Sequence, residues 1–82
     1  MIASPEVLRA LWQSDPFGIT EPALRSQLSE ALGGRTIGNG ELTEALGRLV
    51  IRRFAVQSRN DDGDPIWALT PDGRTEAQRR FR

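Results

Sequence analysis

The chain has 82 residues, enough for one small domain that hides only about 60–65% of the surface its unfolded form exposes. Apolar residues make up 38% and charged residues 27%, a soluble globular balance that excludes a disordered chain, and no apolar run approaches membrane-span length. Eleven arginines, with no lysine, balance eleven carboxylates to a net charge of zero, and the absence of cysteine and histidine removes disulfides and the usual zinc ligands.

No basic segment followed by an apolar stretch opens the chain, so no secretion signal is expected and cytoplasm is the expected compartment. The zero net charge hides a pattern. Residues 1–34 carry −2, residues 35–60 carry +3, residues 61–73 carry −4 and residues 74–82 carry +3. Arginine as the sole cation suits bidentate contact with phosphate or guanine.

The first helix is expected to start at Ser4, which offers a serine cap, Pro5 at the first helical position and Glu6 in the first turn. Val7, Leu8, Leu11 and Trp12 form its apolar face, and Asp15 followed by Pro16 stops it. A short extended segment is expected around residues 17–19. Thr20 is the expected cap of the second helix, with Ile19 and Leu24 placed to close a hydrophobic staple. Leu24, Leu28, Ala31 and Leu32 form its stripe, and Gly33 with Gly34 supplies a left-handed stop.

After a polar turn, Asn39 is the expected cap of a third helix, with Glu41 near the positive end of its dipole. Leu42, Ala45, Leu46, Leu49 and Val50 recur at i, i+3, i+4, i+7 and i+8, the strongest helical period in the chain. Glu41, Thr43, Glu44, Gly47 and Arg48 then face outward. Two strands follow over residues 54–59 and 65–70, joined by an acidic turn in which Asp62 and Gly63 give the hairpin signal. Phe54 and Val56 share one face of this ribbon, and Trp67 and Leu69 share one face of the partner strand. Thr70 and Pro71 open a fourth helix, which Gly73 weakens early.

These elements predict a single α+β winged helix-turn-helix spanning residues 1–82: three helices, a two-stranded wing and a short C-terminal helix. The predicted core is Val7, Leu8, Leu11, Leu24, Leu28, Leu32, Leu42, Leu46, Leu49, Val50, Val56, Trp67 and Leu69. The motif Gly40-Glu41-Leu42-Thr43-Glu44-Ala45-Leu46 and the closing run Trp67-Ala68-Leu69-Thr70-Pro71-Asp72-Gly73-Arg74 carry a likeness. Over residues 5–76 the chain resembles winged-helix repressors of the PadR type, and more loosely of the MarR type. In PadR-like proteins the recognition helix opens Gly-Thr-Leu-Tyr-Pro-Ala-Leu. Here Glu41, Thr43 and Glu44 stand where that motif has threonine, tyrosine and proline. The resemblance implies DNA binding, and dimerisation through the first and fourth helices.

The expected DNA-binding residues are Arg35, Asn39, Thr43, Arg48, Arg52, Arg53 and Arg59. Thr43 and Arg48 would meet base edges, and Arg52 and Arg53 would meet phosphates. The other reading of this face is a solvated or partner-facing helix in which Glu44 and Arg48 pair at i,i+4. It makes the domain a protein-interaction module, such as an assembly or phage-type accessory subunit. The wing tip is expected to be a solvated turn that avoids phosphate, because it offers the three carboxylates of Asp61, Asp62 and Asp64, and it lacks the spacing and distal glutamate of a calcium loop. Trp12 and Trp67 read as core or dimer contacts. Arg74, Arg79, Arg80 and Arg82 read as phosphate-seeking, solvated or partner-facing in equal measure. Gly38-Asn39-Gly40 lacks the third glycine and the preceding strand of a nucleotide loop. Without His, Cys, Lys or Tyr, no enzyme and no cofactor are expected.

Overall fold

The structure, a computed structural model, describes residues 4–81, with only the backbone of Ser4. The cap expected of the Ser4 side chain and the cation Arg82 lie outside the described residues. The elements in order are α1 (Ser4–Gln13), β1 (Ile19–Thr20), α2 (Glu21–Ala31), α3 (Asn39–Ile51), β2 (Ala55–Arg59), β3 (Pro65–Leu69) and α4 (Pro71–Phe81). All three strands are antiparallel, in the order β1-β3-β2. The short β1 sets Ile19 opposite Trp67 and Thr20 opposite Ile66, so it ties the entrance of α2 to the wing.

The core forms where the helices meet the concave side of this sheet. Val7, Leu8, Leu11, Leu24, Leu28, Leu42, Leu46, Leu49 and Leu69 are buried, as the helical and strand periods predict. Leu32 and Trp67 are only partly buried against them. Four alanines (Ala10, Ala45, Ala55 and Ala77) and Ile37 complete the core. Ile37 precedes α3 in a segment that reads as a polar turn, and it is buried all the same.

Several expectations are corrected. Val50 is 43% exposed and Val56 is 47% exposed, so neither belongs to the core. On α3, Val50 sits at the flank of the stripe, where no other element covers it. In the hairpin, Ala55 lies opposite Leu69, Gln57 opposite Trp67 and Val56 opposite Ala68. Strand alternation therefore turns Ala55 inward and Val56 outward, a phase one residue away from the expected one. The first wing strand begins at Ala55, and Phe54 belongs to the corner before it. Ala31 is exposed, because α2 ends there and Gly33 and Gly34 turn the chain away with φ of 78° and 86°.

Two of the three expected caps on described side chains act differently. Thr20 holds the extended cap conformation, but its hydroxyl makes no capping bond. Asn39 is the first residue of α3, and Gly38 occupies the cap position without a side chain to offer. Glu41, three residues further on, stands in the first turn of α3, with its Oε1 3.8 Å from a Cβ built at Gly38. Thr70 caps α4 as expected. Its Oγ1 accepts from the Gly73 N–H at 3.0 Å and donates to the Arg53 carbonyl at 2.5 Å. One hydroxyl thus joins the start of α4 to the corner between α3 and β2.

Gly73 is required by that corner. A Cβ built at this position would lie 1.9 Å from the Phe54 carbonyl oxygen, so α4 can lie against the backbone only through a glycine. Farther along, α4 packs on α1. Phe81 stacks on Trp12 with ring centroids 5.8 Å apart, and the Arg9 guanidinium lies over the Phe81 ring.

Candidate nucleic-acid interface

The helical period of α3 gives it two faces. Leu42, Ala45, Leu46 and Leu49 are buried against α1 and the sheet. Gly40, Thr43 and Glu44 are exposed, Gly47 is partly exposed, and Ile51 stands 82% exposed at the end of the same line. Gly40, Glu44, Gly47 and Ile51 are spaced i, i+4, i+7 and i+11, so they form one ridge along the outer side. Nothing lies within 4 Å of a Cβ built at Gly40 or Gly47.

The expected DNA-binding residues fall at three places around this ridge. Arg35 and Asn39, both exposed, stand at its N-terminal end. Thr43 and Arg48 lie on its two shoulders. Arg52 and Arg53, both exposed, occupy the C-terminal corner, where Arg53 adopts φ 65°. The 13 residues of α3 put roughly 20 Å between the two ends. Arg59 is separate, at the far end of β2 beside the wing turn, where its Nη1 donates to the Gly63 carbonyl at 2.7 Å.

The electrostatics are set by local pairs. Arg35 Nη2 donates to Glu41 Oε2 at 2.9 Å, and Arg48 Nη1 donates to Glu44 Oε1 at 2.9 Å. Such exposed pairs add little to stability, but each guanidinium carries a carboxylate with it. Arg52 and Arg53 make no ion pair among the described residues. The tail cations are also engaged. Arg74 Nε sits 2.8–2.9 Å from both carboxylate oxygens of Asp15, which pins α4 to the turn after α1. Arg79 and Arg80 both donate to Glu76, and those two bonds hold its carboxyl below the usual glutamate range.

Asn60 organises the wing turn. Its Oδ1 accepts from the backbone N–H groups of Asp62 and Asp64 at 3.0 and 2.9 Å. Asp61, Asp62 and Asp64 remain exposed, and among the described residues no three metal-ligating side chains gather to hold a metal ion. A cleft of about 460 Å³ lined by Thr20, Glu21, Gln57 and Asp64 opens between α2 and the hairpin, apart from the outer side of α3. Sequence reasoning assigns no role to Ile51 and counts Val50 as core. The signal for Ile51 was its helical spacing from Gly40 and Gly47.

No protein-family model matches the chain, and no curated protein matches it in sequence. Two solved structures do match in shape. The SSV1 F-93 crystal structure superposes with a TM-score of 0.69 at 19% identity, over 96% of this chain and 82% of that one. A mutant of Lactococcus lactis ZitR superposes with a TM-score of 0.68 at 20% identity, over 94% of this chain. The chain spans about half of ZitR, 47% of its length. With four helices and a three-stranded antiparallel sheet, the domain has the winged-helix fold of these two proteins.

Proposed function

We propose that the domain is a DNA-binding transcriptional regulator whose α3 enters the major groove. The observation that carries this reading is the uncovered outer side of α3, set in a winged-helix frame and flanked by the exposed Arg52 and Arg53. In helix-turn-helix folds the second helix of the motif lies in the major groove, and here α2 and α3 form that pair. Arg52 and Arg53 take phosphates beside the helix end, Thr43 and Arg48 face the bases, and Arg35 and Asn39 meet the strand at the other end. Arg59 reaches the backbone from the wing, and its acidic tip stays clear. The PadR-type motif at residues 40–46, cytoplasmic location and a homodimer through α1 and α4 belong to the same proposal.

The test is fluorescence anisotropy of a labelled duplex across a salt series. Two to four phosphate contacts imply that log K falls against log salt with a slope of about −2 to −4. Undetectable binding at low salt, or binding indifferent to salt, removes the reading.

A second reading has its own support. Glu41 and Glu44 are paired with Arg35 and Arg48, and a branched aliphatic residue tops the ridge. A protein partner would accept that surface more readily than phosphate would. Recovery of a stoichiometric protein complex together with no duplex binding selects this interaction module.

A further inference from the structure

Resting on the DNA-binding reading above, we propose that the outer side of α3 selects duplexes by apolar contact with thymine C5-methyl groups, through Ile51 on the ridge and the Thr43 methyl on its shoulder. Ile51 is 82% exposed, at the end of a helix whose inner side is fully packed. A branched aliphatic side chain on a groove-facing ridge has one apolar feature to meet in the major groove, the thymine methyl. Gly40 and Gly47 lie on the same ridge with open space above them, so the helix can approach the base edges closely there.

The charges favour the same ligand. Guanine is read by a bidentate arginine fork on O6 and N7. Arg48 on the shoulder of the ridge and Arg35 at its N-terminal end carry Glu44 and Glu41 at 2.9 Å. The Glu44 carboxylate on the ridge accepts hydrogen bonds and donates none, so it suits an amino group in the groove, that of adenine opposite thymine or that of cytosine. Arg52 and Arg53, exposed beside Ile51, complement the phosphates that flank the groove.

The experiment selects a random duplex pool on the 82-residue chain at low salt. Each thymine of the enriched site is then replaced by deoxyuridine, which lacks only the C5 methyl. Affinity should fall about fourfold for each contacted methyl removed. The Ile51→Ser variant leaves the core untouched and should bind the thymine and uracil forms alike at the position that Ile51 contacts. An enriched site whose uracil forms bind as well as the thymine form overturns the methyl reading and leaves DNA binding standing. A pool that yields no enriched duplex overturns both.

Discussion

At the residue scale, the fold depends on a corner where three elements meet at two residues, one hydroxyl-bearing and one without a side chain. Thr70 links the Gly73 amide to the Arg53 carbonyl, and Gly73 lets α4 lie against the Phe54 backbone. Gly73→Ala would drive a methyl into a carbonyl that is fixed by its own hydrogen bond from the Thr70 N–H at 3.1 Å. The neighbour is backbone and cannot rotate aside. The expected loss is about 3 kcal/mol or more, read as a lower urea midpoint. An unchanged midpoint would mean that α4 does not pack there. The cap was legible because Thr70 and Pro71 are local chemistry. The need for Gly73 was not, because the atom it avoids belongs to a residue 19 positions earlier.

At the element scale, α3 is a rod with one packed side and one open side, and two substitutions separate them. Leu46→Ala should cost about 2–5 kcal/mol because Leu46 is fully buried, whereas Val50→Ser should cost well under about 1 kcal/mol. Equal losses by thermal melting would contradict the orientation of the helix. The sequence period finds Leu42, Ala45, Leu46 and Leu49 without ambiguity. Val50 lies on the flank, where burial depends on a neighbour that the period cannot reveal. The β2 phase was hidden for a related reason. Ala55 is small and gives a weak pattern, while the apolar Val56 attracts the assignment to the wrong side.

The same scale holds a pH prediction for α4. Arg79 and Arg80 hold the Glu76 carboxyl below its ordinary value of 4.5. A carboxylate whose folded-state value is depressed stabilises the fold above the ordinary value, and that contribution is lost as the pH falls through the folded one. Glu76→Gln should therefore melt below the parent at pH 7, and the two melts should converge below pH 4.5. A difference that persists unchanged into acid would contradict the pairing.

At the scale of the whole molecule, zero net charge was legible in the sequence, but its consequence required coordinates. Six of the ten arginines among the described residues are matched to carboxylates within the domain: Arg25 with Glu21, Arg35 with Glu41, Arg48 with Glu44, Arg74 with Asp15, and Arg79 and Arg80 with Glu76. Segment charges along the chain do not reveal this, since Asp15 and Arg74 are 59 residues apart. If α3 meets DNA, Glu41→Gln with Glu44→Gln should raise duplex affinity at low salt and steepen its salt dependence. The same double variant should weaken a basic protein partner, so the direction of change separates the two functions.

The most direct test of the account is a map of backbone amide shifts as a selected duplex is titrated into the isotope-labelled domain. Shifts concentrated at Gly40, Thr43, Glu44, Gly47, Ile51 and Arg52, with α1 and α4 little changed, are the predicted result. Shifts confined to α1 and α4, or none on the outer side of α3, would contradict it.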